Sequence, residues 1–458
     1  MPSSPSLQER SFAPEAQALH VDTVDEKPVL LAFDGGQITS DAGMLLVAQV
    51  DKQLGLSEAL AAVLRDERDP DRICHSKQAL LRQRVYQIAA GYEDQDDSDA
   101  LRTDPVFKML MGQAPETGSP LASQPTMSRF ENSINWGMLW RMAEVFLDQF
   151  VASYTRAPEV IVLDFDDTAD PVHGEQEQAC YNSHVGNHCF LPLHVYEGLS
   201  GRLIMTLLKP KVLKGAEMLP IVGRLITHLR TRWPHCEILF RGDSHFSYPE
   251  VMAYLEAQPH VHYVTGLAAN SVLKTLVRQV EEEAERHFAR GDREKVLRFH
   301  SLRYQARTWP HARRVIVKVE VTEKGTNTRF VVSDLERLGA KRLYQKIYCA
   351  RGQMENYIKD HKLGLKSDRT SCHRFSANQF RLFLHSAAYV LLHTLRTELL
   401  GHSSFSRARF ETLRASLLKL GASVKEHTDS IRVSFSSHVP VEPVLRSGFA
   451  LLASLPPT

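Results

Sequence analysis

Apolar positions change their period near residue 159. Before it they recur every three to four residues. After it they gather in short runs or alternate with polar ones. Residues 42–54, 77–90 and 136–154 have helical spacing, and the apolar run at 29–33, stopped by Asp34-Gly35-Gly36, predicts an opening strand. The run at 159–163 is nearly continuous, as in a strand buried on both faces. Strands at 190–196 and 203–208 follow, joined by the turn at 197–201. Then come a helix at 216–232, a strand at 237–240 ended by Gly242, a helix at 249–258 and a strand at 261–265. Residues 271–333 interrupt this order with a charged helix at 272–290 and strands at 296–304, 314–321 and 328–332, whose alternation predicts half-buried antiparallel sheet. Beyond them lie helices at 343–362, 378–399 and 407–420 and a short strand at 430–436, with no internal repeat.

These changes divide the chain into a disordered polar tail (1–26), a mostly helical domain (27–150), a first core segment (151–270), a β-rich insertion (271–333), a second core segment (334–400) and a C-terminal extension (401–458). The net charge of +1 makes no case for nucleic acid by itself, so any such case must be local. Cys74, Cys180, Cys189, Cys236, Cys349 and Cys372 form no C-x-x-C, which fits reduced thiols in the cytoplasm. No apolar stretch is long enough to span a membrane, and residues 1–26 lack a signal-peptide core. The acidic run at 93–99 reads as a solvated, helix-capping connector.

The chemistry concentrates at three places. On a regular helix Tyr348, Arg351, Glu355 and Lys362 fall within an arc of about 60°, beside a separate apolar arc of Leu343, Ile347, Ala350, Met354 and Tyr357. A carboxylate set between cations suggests a metal ligand beside bound phosphate. Asp164-Phe-Asp-Asp-Thr168 ends the first buried strand, where a period of two puts Asp164 and Asp166 on one face. Asp243, in Arg241-Gly-Asp-Ser-His245, stands just past another buried strand. Two strand-end aspartates with Glu355 could hold two hard cations that activate a water or hydroxyl against a phosphodiester. His173, His245 and His361 are candidates to line such a site. The spacing of Cys180, His184, His188 and Cys189 fits no familiar zinc site, and the absence of a G-x-x-x-x-G-K-[ST] loop argues against an NTP-driven motor.

The element order from 159, three strands in a meander and then helix, strand, helix, strand, is that of ribonuclease-H-like α/β folds. With the spacing Y-(2)-R-(3)-E-(6)-K at 348–362 and Asp243 in Arg-Gly-Asp-Ser, the chain resembles the DDE transposases of the IS4-like superfamily and looks closest to the IS1380 group. The resemblance covers roughly residues 27–400, including the β-rich insertion. It implies that Asp166, Asp243 and Glu355 bind two Mg²⁺ ions, with Mn²⁺ able to substitute. Asp166 sits in the D-x-T setting of the first ligand; Asp164, on the same strand face, is the alternative. The resemblance further implies that Tyr348, Arg351 and Lys362 contact phosphates of the transposon end. The partners would be double-stranded DNA at terminal inverted repeats and at the target. A dimer would pair the ends, and the protein would work on the bacterial nucleoid. A catalytically silent DNA-binding remnant and a nuclease without transposition are the alternatives.

Two further DNA contacts are expected. Arg303, Arg307, Arg313, Arg314 and Lys318 lie near Tyr304 and Trp309, a mixture suited to backbone neutralisation and base stacking. An insertion-domain tryptophan stacks on a flipped base in related transposases, which makes Trp309 the candidate; the plainer reading packs it into the small sheet. Residues 124–132 open like a helix with Pro125 in its first turn, and Thr126, Arg129 and Asn132 share a face that suits DNA. A surface helix inside the helical domain is the alternative.

Overall fold

A computed structural model describes residues 19–291 and 294–454. The expected tail lies outside the described residues as far as residue 18. Its last part is a strand, Leu19–Val24, which pairs with Lys27–Leu31.

One mixed sheet of eight strands organises the molecule. In chain order they are β1 (Val160–Asp167), β2 (Leu193–Glu197), β3 (Leu203–Leu207), β4 (Glu237–Gly242), β5 (Val261–Leu267), β6 (Val296–Tyr304), β7 (Arg313–Thr322) and β8 (Gly325–Ser333). Their spatial order is β6-β7-β8-β5-β4-β1-β2-β3. β4 runs parallel to both β1 and β5, and every other pair is antiparallel. The strand expected at 190–196 is split at Leu191-Pro192. Its first part, Asn187–Phe190, belongs to a small separate sheet with Asp170–Pro171 and Cys180–Asn182. Proline cannot donate to a ladder, which is a physical reason for a break there.

Residues 271–333 are not a module apart. β8 pairs with β5, so β6, β7 and β8 prolong the central sheet. The half-buried alternation expected of them fails in β7, where Arg313 to Val317 are all buried. Both faces of this wing are covered. One packs under the amphipathic helix Ser271–Ala289 through Leu273, Val277 and Ala284. On the other, Ile316 and Val331 meet Leu343 and Tyr344 of the helical run at 340–364. The wing is therefore the floor on which the Tyr348–Lys362 helix begins.

The segments expected as an N-terminal domain and a C-terminal extension share one core. Residues of the helices Met44–Leu54, Lys77–Ala90 and Trp136–Ala152 pack with Phe380, Leu384, Phe410, Leu417 and Val424. Strand Ala422–Glu426 pairs with Gln37–Thr39, joining the two ends of the chain. Helix Phe375–Thr394 runs between this core and β3 and is buried nearly all round. The C-terminal part also grips the catalytic-helix candidate. Arg396 and Arg409 hold the buried carboxylate of Asp360 at 2.6 and 3.4 Å, and Arg414 donates to the Gly364 carbonyl at 2.6 Å. No helix among the described residues is long and apolar enough to cross a membrane.

Candidate active site

The register of β4 against β1 sets the site. Gly242 lies opposite Phe165, so Asp243, one residue on, comes level with Asp166 at the carboxyl ends of two parallel strands. Burial, opposed by Arg351 and reinforced by the neighbouring Asp243 carboxylate, pushes the Asp166 carboxyl up to about 6. Its Oδ1 accepts the Asp167 backbone N–H at 3.1 Å, and its Oδ2 accepts Nη1 of Arg351 at 2.9 Å. Asp243 begins a short turn, its Oδ1 accepting the His245 N–H at 2.8 Å.

Asp164 shares the strand face but not the site. It is 0 % exposed and bound at both oxygens by Arg241, at 2.6 and 2.7 Å. The same guanidinium donates to the Ile347 carbonyl at 2.7 Å and so ties β1 and β4 to the helix above them. The chain leaves no room here for a larger residue than Gly198, where a Cβ would lie 2.5 Å from both Asp164 Oδ2 and Arg241 Nη2.

The helix at 340–364 is continuous but irregular. It opens into wide turns at Leu343–Tyr348 and Asp360–Gly364 and tightens to three residues per turn at Cys349–Gln353. A tight turn advances each residue by about 120° instead of about 100°, which brings Tyr348 and Arg351 into line and carries Glu355 roughly 80° round from Arg351 rather than about 40°. The contacts follow this geometry. Tyr348 closes on the end of β5, so near Gly266 that a Cβ there would lie 2.8 Å from the phenol oxygen and 2.8 Å from Ser244 N. Arg351 sits on Asp166. The Lys362 ammonium donates to Thr168 Oγ1 at 3.1 Å and to the Ala169 carbonyl, and lies 3.2 Å from Oδ1 of the buried Asp170. Glu355 is exposed. The expected single face of four thus becomes three residues over the strand ends and one beside them. No group of three or more His, Cys, Asp or Glu able to hold a metal forms among the described residues, so Glu355 is not gathered with Asp166 and Asp243.

The expected DNA contacts divide. Trp309 is 6 % exposed, edge-on to Tyr304 and under the Arg313 guanidinium, so its ring is packed in the sheet wing and not offered to a base. Arg313 is buried and bidentate to Glu256, at 2.6 and 2.9 Å. Arg314 is buried on Ser301 Oγ and on the carbonyls of Leu335, Glu336 and Leu338. Both guanidinium groups are turned into the protein because the wing is covered on both faces, which the sequence pattern did not reveal. Arg129 is exposed on helix Gln124–Asn132, beside a cleft also lined by Arg65, Arg68 and Lys77. Of the three histidines, His245 stands 3.4 Å from Asp243 and His173 is exposed; His361 is fully buried between Ser367 and Ser386.

Sequence reasoning missed the partners that organise the site: Arg241 on Asp164, Lys209 on Asp167 at 2.7 Å, and Asp170 beside Lys362. Arg241 lay in view in the Arg-Gly-Asp-Ser motif. Lys209 carried no signal beyond following a strand.

No curated protein matches the chain. Among solved structures, a piggyBac transposase in a synaptic complex with hairpin DNA is similar over 83% of this chain and 80% of that one, at 10% identity and a TM-score of 0.42. The family described as Transposase DDE domain group 1 matches residues 21–457. With nearly its whole length matched, the chain belongs to the DDE transposase domain family, group 1.

Proposed function

We propose that this protein is the transposase of an insertion sequence, of the IS1380 group, with a ribonuclease-H-like core. It cleaves DNA at the element's terminal inverted repeats and joins the freed 3′-hydroxyl to target DNA. The observation that carries the reading is the pairing of Asp166 with Asp243 at adjacent parallel strand ends beneath Arg351 and Lys362. The strand order, with β4 parallel to β1 and β5 and the β1-β2-β3 meander antiparallel, supports the core assignment.

The donor set fits hard divalent cations. Two oxygen-bearing groups are held together at a partly buried strand end, and their mutual repulsion calls for positive charge. Asp166 and Asp243 would hold Mg²⁺ or Mn²⁺, with Glu355 the proposed third ligand on the helix above. Such ions activate the attacking water or hydroxyl and stabilise the leaving oxygen. The chain's own part is positioning. Asp243 is fixed by its turn, and Asp166 by the Asp167 N–H. Arg351 neutralises Asp166 and is the side chain whose fork suits a phosphate there. Lys362 and Tyr348 flank it along the scissile strand, and Arg129 meets DNA at a distance from the chemistry. Two copies would pair the two ends.

The test is cleavage of a labelled terminal-repeat duplex in Mg²⁺ and Mn²⁺, followed by capture of the 3′-end in a second duplex. Cleavage without joining would favour a nuclease. Binding without cleavage would favour a silent DNA-binding remnant. Flanking inverted repeats in the genome would identify the substrate.

A further inference from the structure

The small sheet beside the site sets two thiols opposite each other. Strand Cys180–Asn182 pairs antiparallel with Asn187–Phe190, and Cys180 lies directly across from Cys189. Directly opposed residues of an antiparallel pair carry their side chains on one face. The neighbouring pair shows the alternation on the other face: Tyr181 and His188 meet edge to face, with ring centroids 5.7 Å apart. Both cysteines are free thiols. Cys180 is exposed and donates weakly to the Gln178 carbonyl at 3.5 Å, so its side chain can turn. Cys189 is 1% exposed. Neither belongs to the proposed metal or DNA contacts.

Opposed residues have Cα atoms about 4.5–5.5 Å apart, inside the range of about 4.4–6.8 Å that a disulfide spans. Their Cβ atoms, about 4.5–5.5 Å apart, stand at or beyond the ~3.5–4.5 Å of a relaxed bridge. A bond formed there is strained and easily reduced, a switch and not a staple. We propose that Cys180 and Cys189 form a reversible disulfide by exchange with a small-molecule disulfide. The Cys180 thiolate attacks the reagent, releasing one thiol and leaving a mixed disulfide. Cys189 then gives up its proton and attacks the Cys180 sulfur, releasing the second thiol. The reagent gains the two electrons and two protons that the cysteines lose. Burial pushes the Cys189 thiol up, which leaves the exposed Cys180 to react first. The bond bears on the neighbouring strand. Cys189 and Phe190 pair on their other side with Pro171 and Asp170, and Asp170 lies beside Lys362. Oxidation therefore clamps the hairpin that frames Lys362.

The test is incubation of the full-length protein with oxidised glutathione, then peptide mapping with cleavage after Tyr181, which separates the two cysteines. The Cys180 and Cys189 peptides should be recovered joined, and dithiothreitol should part them. Cys74 and Cys349, exposed and outside any strand, should instead keep glutathione. In Cys189→Ser the adduct should remain on Cys180, at least roughly tenfold more than in the natural protein. Cys180 carrying glutathione to the same extent in both proteins overturns the proposal. If Cys189→Ser does not fold, the map of the natural protein decides alone: Cys180 recovered with glutathione, or unmodified while Cys74 and Cys349 have reacted, overturns it.

Discussion

Asp164 and Asp166 lie two residues apart on one strand, face the same side and each meet an arginine. Asp164 is sealed: fully buried, with both oxygens bound by Arg241, which is itself buried and anchored to Ile347. Asp166 is partly open: its side chain is 19% exposed, held at one oxygen by Arg351, which is 21% exposed, and crowded by Asp243. The first pair is a closed unit whose charges satisfy each other. The second is a carboxylate whose cation can leave. Residue type and strand face are the same for both; the depth of each along the sheet separates a sealed pair from an open one, and the open one is the proposed metal ligand.

The contrast can be broken at its active end first. Asp166→Asn, Asp243→Asn and Glu355→Gln should each lower cleavage of a terminal-repeat duplex roughly a thousandfold, with urea-unfolding midpoints near that of the natural protein. Full cleavage by Glu355→Gln would remove that residue from the ligand set. At the sealed end, Asp164→Asn leaves Arg241 buried and uncompensated and should cost about 3–5 kcal/mol of stability, read by urea unfolding. A stable Asp164→Asn that has lost cleavage would reverse the assignment of the two aspartates.

Gly266→Ala probes the approach of the helix. Its Cβ would meet Tyr348 Oη and the backbone at Ser244, so Tyr348 or the Asp243 turn must move. Cleavage should fall roughly a hundredfold with a small change in stability. A smaller effect is expected at Asp170, whose carboxyl burial pushes up to about 7 from an ordinary 3.8, against the pull of Lys362. The folded state holds this proton more tightly than the unfolded chain. The stabilisation is complete below pH 4 and is lost as pH rises through 7. Asp170→Asn should flatten that part of the stability-against-pH curve; an unchanged slope between pH 4 and 7 would contradict it.

Much of the molecule is legible in its sequence. The helix at 77–90 and the strand at 296–304 fall where their periodicity puts them, as Lys77–Ala90 and Val296–Tyr304. The two strand-end aspartates follow from pattern and spacing. Trp309 takes the plainer of its two readings and Arg313 and Arg314 turn inward with it; cations beside aromatics look alike whether they face DNA or pack between layers. Only the helix laid over the far face of β7 and the carboxylate of Glu256 distinguish the two.

By itself the sequence determined the period of the main helices and of most central strands, their order between residues 159 and 333, and the family to which the motifs belong, because local spacing of apolar and charged residues carries that information. Tertiary structure decided which cation meets which carboxylate, that the insertion extends the central sheet, that both ends of the chain share one core, and that Glu355 stays exposed while Tyr348, Arg351 and Lys362 meet the strand ends. Each depends on contacts between segments far apart in the chain, and on wide and tight helical turns that a uniform 100° projection cannot represent.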